Sequence, residues 1–172
     1  MIMVKKCKVA IFFCQQDAVH ADLALEIFKR LQVPSRYGLY EPALINTGPS
    51  EIDFRYNVAI VEQNEMDVFV VIGEFFSCLL NQIYRSNTKR ETVFVGVTDP
   101  VHCGLVQSLE LPGGPMTGVT MAVDSATAFA EKIALFYPLL SRIVIPYAPE
   151  RLGGRLEERA LLAAEHLRSC GM

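Results

Sequence analysis

The sequence predicts an α/β protein built on a parallel sheet, and three observations support that prediction. Runs of branched and aromatic residues are continuous rather than alternating, which is typical of strands buried on both faces. Segments with a helical period of apolar residues separate these runs. The chain of 172 residues is 51% hydrophobic and 20% charged, which is enough for one sizeable core. With right-handed crossovers, the pattern predicts a flavodoxin-like three-layer α/β/α sandwich, a doubly wound sheet with strand order 2-1-3-4-5.

The individual elements follow from local composition. Strands are predicted at residues 8–13, 37–40 (the weakest), 68–72, 92–97 and 119–123. Helices are predicted between them, at residues 19–31, 51–61, 77–85 and 125–136. Ser50, with Asp53 three residues later, is a plausible N-cap for the second helix. Asp124 and Ser125 are the expected cap of the fourth helix.

The last part of the chain differs in composition from the rest. Proline and glycine residues interrupt it from Pro138 to Gly154, and a final helix is predicted over 156–168. The apolar residues of this helix form one stripe: Leu156, Ala160, Ala163, Ala164 and Leu167. We expect residues 1–140 to form the sandwich domain. Residues 141–172 are expected to be a connector and helix, which either belong to the same domain or pack on a neighbouring subunit.

Charge, apolar run length and cysteine usage exclude several classes of protein. The formal net charge is −3, with 16 Lys and Arg scattered among 19 Asp and Glu, so no nucleic-acid surface is expected. No apolar run reaches the ~18 residues of a membrane span, so no membrane partner is expected. The 5 cysteines include no C-x-x-C pair, and the apolar run 9–14 is followed by no cleavage site. Reduced thiols and a cytoplasmic protein are therefore predicted.

A small-molecule site is expected beyond the carboxyl ends of the strands, where doubly wound sheets bind ligands. Helix N-termini at that edge suit an anion, which favours a phosphorylated ligand. No dinucleotide fingerprint, P-loop or nucleophile elbow occurs, and no cofactor or metal is predicted. The predicted ligand-binding residues are Cys14, Gln15, Gln16, Asp17, Glu41, Gly73, Ser77 and Cys78.

Cysteine and histidine side chains near this edge admit two interpretations. His102 and Cys78 are weak catalytic candidates. In one interpretation they converge with Cys14 and Cys103 into a thiol cluster or a zinc site. In the other, which we favour, the three cysteines are small buried side chains. His20, in the first turn of helix 1, is expected to be solvated.

Three further side chains follow the third strand. Glu74 is either a site acid with a raised pKa or, as we favour, an exposed loop carboxylate. Phe75 and Phe76 either stack on a ligand or, as favoured, pack in the core.

Two further segments are distinctive: the stretch 109–115 (LELPGGP) and the run 118–123 (GVTMAV), which leads into an alanine-rich helix. They resemble the PurE family, the carboxyaminoimidazole ribonucleotide mutases and aminoimidazole ribonucleotide carboxylases of purine synthesis. The first strand, its helix and residues 31–34 are similar to the opening βα unit of that family. The resemblance covers roughly residues 8–140. It implies the three-layer sandwich, a homo-octamer and a C-terminal helix that reaches across a subunit boundary.

Most catalytic motifs of that family are missing. Asp17 lies where the family holds the ribose hydroxyls, but Gln15 and Gln16 stand in a loop that has a glycine and two serines in the family. Glu41 begins the segment that replaces a His–Arg motif, and Cys78 lies near a second family histidine. The resemblance therefore implies a divergent member that binds a nucleotide-like or phosphorylated molecule at an inter-subunit pocket, with the reaction weakened or lost. The alternatives are an active carboxylase or mutase with substituted groups, and a non-enzymatic oligomeric assembly module, so whether the chain is an enzyme stays open.

Overall fold

The computed structural model describes residues 6–35, 38–84, 90–121, 131–133, 135–136, 142–146 and 155–169. Its elements are β1 (Cys7–Phe13), α1 (Ala18–Gln32), β2 (Tyr40–Asn46), α2 (Glu51–Glu62), β3 (Val68–Ile72), α3 (Glu74–Tyr84), β4 (Glu91–Val97), β5 (Met116–Thr120) and α4 (Arg155–Ser169). The chain divides into two compact units, Met1–Met121 and Ala122–Met172. The domain boundary predicted at residue 140 stays a prediction. No helix within the described ranges is long and apolar enough to cross a membrane.

The first unit contains a sheet of five parallel strands in the order β2-β1-β3-β4-β5. This confirms the predicted α/β class and the predicted strand order. The central strands β1 and β3 consist of branched and aromatic residues, and most of their side chains are buried. Because all strands run in the same direction, their carboxyl ends lie at one edge of the sheet.

The sheet has an apolar cluster on each face. On one face, Phe12 meets Phe54 of α2 and Phe69 of β3 edge-to-face, with ring centroids 5.7 Å and 5.1 Å apart. On the other face, Ile11 and Ile72 pack in the cluster that contains Ala24 of α1. Alternate residues of one strand thus contact helices on opposite sides, which gives the predicted three layers.

Strand β2 was predicted too early in the chain, and this moves one predicted site residue. The prediction placed the strand at residues 37–40, but the strand begins at Tyr40 and runs to Asn46. Pro42 is tolerated because β2 is an edge strand, paired only with β1. Glu41 therefore lies at the amino end of β2, opposite Lys8, and not at the carboxyl edge where we expected it.

Other boundaries show how turns are made in this sheet. Helix α2 begins as predicted, with the Ser50 hydroxyl accepting the Asp53 N–H at 3.1 Å. Helix α3 begins at Glu74 rather than at residue 77, directly after Gly73, whose φ of +96° turns the chain. Strand β5 lies three residues earlier than predicted. The predicted cap at 124–125 lies outside the described residues.

Candidate functional site

We define the carboxyl edge as the segments at the carboxyl ends of the first four strands: residues 14–17, 46–50, 73–74 and 98–103. These segments carry amide, hydroxyl, carboxylate and imidazole groups, and they lie where open parallel sheets bind ligands. The structure thus brings Gln15, Gln16, Asp17 and Gly73 to one edge, as the sequence predicts.

A pair of amide side chains joins the ends of β1 and β2. The Asn46 Oδ1 accepts the backbone N–H of Gln15 at 3.1 Å, and the Asn46 Nδ2 donates to the Gln15 Oε1 at 3.0 Å. Both residues are exposed. Next to them, the buried Thr47 donates its backbone N–H to the Phe13 carbonyl at 2.9 Å. Two loops of the edge are therefore held in a fixed relation by groups that still face solvent.

His20 lies directly over the end of β3. A Cβ on Gly73 would come within 2.7 Å of the His20 Cε1, so only glycine allows this approach. The His20 backbone N–H donates to the Asp17 Oδ1 at 3.1 Å, and its Nδ1 lies 3.5 Å from the Asp17 Oδ2. We expected a solvated histidine here, but its side chain is only 28% exposed. His20 thus belongs to the candidate site, and the sequence analysis did not predict it there.

Carboxylates also organise the edge around β3 and β4. The Glu74 Oε2 accepts the backbone N–H of Thr98 at 2.9 Å and so joins α3 to the end of β4. The Asp99 Oδ1 accepts the His102 N–H at 2.9 Å, which fixes the next turn. Glu74 is half-buried and hydrogen-bonded at the edge, so the expectation of an exposed loop carboxylate is wrong.

Three predicted site residues lie inside the protein. Cys14 and Cys78 are buried in the apolar cluster beneath the edge. The Ser77 hydroxyl is fully buried and donates to the Gly73 carbonyl at 2.7 Å. His102 is exposed in the turn after β4. Within the described ranges, no group of three or more Cys, His, Asp and Glu residues is placed to hold a metal ion.

The two phenylalanines of α3 belong to the core. Phe76 is buried and stacks on Phe54, with ring centroids 5.0 Å apart. Phe75 meets Phe76 edge-to-face at 5.2 Å and packs against the same cluster. The favoured interpretation of these residues as core is confirmed.

Away from this edge, the amino-terminal end of β5 borders a cavity of about 330 Å³. The cavity is lined by α3 and by the loop around Gly113, whose φ is +71°. At its wall, the buried Tyr84 hydroxyl lies 3.2 Å from the Thr92 Oγ1. Burial raises the pKa of Tyr84 to about 12. These polar groups contact each other, which indicates a structural role.

Fold and edge together define an α/β protein with a candidate small-molecule site at the carboxyl ends of its strands. The sequence model of ABC transporter substrate binding proteins matches residues 46–164, and the chain belongs to that family. The expectation of a small-molecule ligand agrees with this membership. Among curated proteins, no match was found.

Solved structures with the same fold include three proteins of low identity. A Streptococcus pneumonia ABC domain in complex with L-Trp has a TM-score of 0.73 at 16% identity, over 98% of this chain and 55% of that one. A conserved domain protein from Vibrio cholerae has a TM-score of 0.69 at 24% identity, over 95% and 55%. A substrate binding protein with adhesive properties from Clostridium difficile, in a ligand-free, open structure, has a TM-score of 0.61 at 16% identity, over 95% and 54%. The chain thus spans about half the length of these structures.

The family match overturns the resemblance to the PurE family and the purine-synthesis, lyase and isomerase functions that it implied. The stretch 109–115 that carried the resemblance is mostly turn structure: the Gln107 N–H donates to the Pro112 carbonyl at 2.9 Å, and Gly113 has a positive φ. Prolines and glycines recur in such turns whatever the family. The remaining similarity, a buried strand followed by a helix, is shared by doubly wound sheets in general. The catalytic hypotheses for His102 and Cys78 lose their support with that reaction.

Proposed function

We propose that this chain is a solute-binding component of an ABC transport system and that it holds a small molecule at the carboxyl edge of its sheet. The observation that carries the proposal is the juxtaposition at that edge of the Gln15–Asn46 pair with the Asp17–His20 pair, within a chain of the substrate-binding family. These side chains are polar and at least partly exposed. A ligand site needs such groups to fix orientation and specificity.

The edge supplies one wall of the site. Substrate-binding proteins close around ligands by hinge motion, and ligand pockets occur preferentially between domains. The Clostridium difficile relative was solved ligand-free and open. We therefore propose that residues 14–17, 46–48 and 73–74 form a fixed, open surface against which another part of the transport protein closes.

Thermal-shift screening with isothermal titration calorimetry tests this function. L-tryptophan is a natural first compound because the Streptococcus pneumonia relative was solved with it. The panel adds the other amino acids, amines, sugars and ribose 5-phosphate. A compound at ~100 times its Kd adds ~2.7 kcal/mol to the free energy of unfolding, which is easily measured. A panel without any binder contradicts the proposal.

A matched pair of asparagine variants locates the site. Asn46→Ala removes both hydrogen bonds to Gln15, and we expect an affinity about tenfold lower because the loop loses its preorganisation. The control Asn64→Ala removes an exposed amide that donates to the Ile60 carbonyl at the other end of the first unit. Equal affinity in the two variants would place the ligand elsewhere.

Two finer predictions stay open within this function. Exposed Leu161 and Leu162 on α4 favour packing of this helix on a neighbouring subunit, which light scattering of the variant Leu161→Glu would test. The octamer came from the PurE family alone and is no longer supported. The cytoplasmic location is still a prediction, to be tested by cell fractionation. The ribose 5-phosphate arm of the panel tests the phosphorylated ligand expected from the sequence, which the carboxylates of the carboxyl edge disfavour.

A further inference from the structure

Positive side chains are segregated away from the candidate site. In the described part of the first unit, most of them lie at the ends of elements remote from the carboxyl edge: Lys6, Lys8, Lys29, Arg30 and Arg90. The exception is Arg55 of α2, whose Nε donates to the Glu51 carboxylate at 2.7 Å. The four segments of the carboxyl edge contain no lysine or arginine.

At the starts of α1 and α2, a capping side chain already accepts one of the backbone N–H groups that suit a phosphate. The Asp17 carboxylate accepts an N–H at the start of α1, and the Ser50 hydroxyl accepts one at the start of α2. The Asp99 carboxylate accepts the His102 N–H in the turn after β4. An incoming anion would have to displace these groups or lie beside their charge, and both cost free energy.

The same carboxylates can still bind a cation. A carboxylate accepts several hydrogen bonds. The Asp17 Oδ1 accepts the His20 N–H and its Oδ2 lies 3.5 Å from the His20 Nδ1, but the side chain is still 47% exposed. Asp99 is also exposed. Glu74 adds a further negative charge beside Thr98 at the same edge. The wall presented by the edge is therefore negative and rich in acceptors.

From this arrangement we infer that the ligand of the carboxyl edge is a cation: a molecule with a protonated amine and no carboxylate or phosphate to balance it. The inference rests on the proposed function and names the substrate class of that site. The ammonium group donates to Asp17 or Asp99 at the rim. The amides of Gln15 and Asn46 bind the polar groups nearby.

Three compounds that share the indole ring system but differ in charge test this inference: tryptamine, L-tryptophan and indole-3-propionate. Tryptamine is a cation, L-tryptophan a zwitterion and indole-3-propionate an anion, while the apolar surface stays nearly constant. We expect tryptamine to bind at least about tenfold more tightly than indole-3-propionate. Inorganic phosphate is expected to cause no thermal shift. Tighter binding of L-tryptophan, of indole-3-propionate or of phosphate overturns the inference and leaves the proposed function in place.

The broader panel covers the remaining outcomes. If no indole compound binds but another compound does, the net charge of that compound tests the inference. A binder without net positive charge overturns it. If nothing binds, the proposed function fails, and the inference fails with it.

Charge-removing variants give a second readout. Asp17→Asn keeps an oxygen that caps α1, so the melting temperature should change little, while the negative charge is lost. We expect tryptamine affinity to fall about tenfold in Asp17→Asn, and further when Asp99→Asn is added. Glu65→Gln makes the same chemical change at an exposed position before β3, at the other edge, and should leave affinity unchanged. Wild-type affinity for tryptamine in the double variant contradicts the inference.

Discussion

The two edges of the sheet use similar polar residues for different purposes. At the amino edge, Asp67 accepts the Lys8 N–H at 2.8 Å, and the Tyr84 hydroxyl contacts Thr92 in the interior. At the carboxyl edge, Gln15 and Asn46 bind each other while they stay exposed. Polar groups thus stabilise the fold where they are buried and are available to a ligand where they are exposed to solvent. Substitutions at the two edges should therefore separate stability from binding.

The largest effect is expected at Gly73, where a substitution should lower both stability and ligand binding. Gly73→Ala places a Cβ within 2.7 Å of the His20 Cε1 and forces alanine to a φ of +96°. We expect a loss of about 2–3 kcal/mol in the free energy of unfolding by urea denaturation, together with weaker ligand binding.

Gly114→Ala is the control for that substitution. Nothing lies within 4 Å of a Cβ at Gly114, so stability should stay close to that of the wild type. If Gly73→Ala is as stable as Gly114→Ala, the packing of His20 on β3 is wrong.

An intermediate effect is expected from the loss of Asp67 at the amino edge. Asp67→Ala leaves the Lys8 N–H without its side-chain acceptor, which should cost about 1–3 kcal/mol in urea denaturation. Asp67→Asn retains an oxygen acceptor and should recover most of that loss. Ligand affinity should be unchanged in both variants, and a lower affinity would break the distinction between the edges.

The smallest effect is expected from Tyr84→Phe, and it depends on pH. Removing the hydroxyl contact with Thr92 should cost about 1 kcal/mol near neutral pH. Because burial raises the pKa of Tyr84 to about 12, the unfolded chain ionises first, and wild-type stability should fall from about pH 10 towards pH 12.

The phenylalanine variant lacks this ionisation. Its stability deficit relative to the wild type should therefore shrink across the same pH range in parallel thermal melts, and then turn into an advantage. A constant difference between the two proteins would show that the phenol is not buried.

The sequence was informative wherever local chemistry decides structure. The run 68–72 is so strongly apolar that it can only be a buried strand, and Ser50 with Asp53 defines a helix start in four residues. Strand β2 was misplaced by several residues. It runs through Pro42, which is tolerated only because β2 lies at the edge of the sheet, and local sequence does not show that position.

The candidate site was predicted only in part, for a related reason. Gln15 and Asp17 follow a strand directly, so the topology alone places them at the carboxyl edge. His20 and Asn46 belong to the site through contacts with Gly73 and Gln15, which depend on the packing of α1 and on the true end of β2. The glycine that ends β3 was the available signal for a close neighbour. The family prediction was wrong because it rested on the stretch 109–115, a loop whose prolines and glycines recur in unrelated proteins.

The most direct test of the proposed site at the carboxyl edge is to map the bound ligand on the protein by NMR. ¹⁵N-labelled protein is titrated with the tightest-binding member of the indole series, and the backbone amide shifts are followed. We expect the largest changes at Gln15, His20, Asn46 and Gly73. Changes centred on Tyr84 and Gly113, around the cavity at the amino edge, would contradict the proposed site.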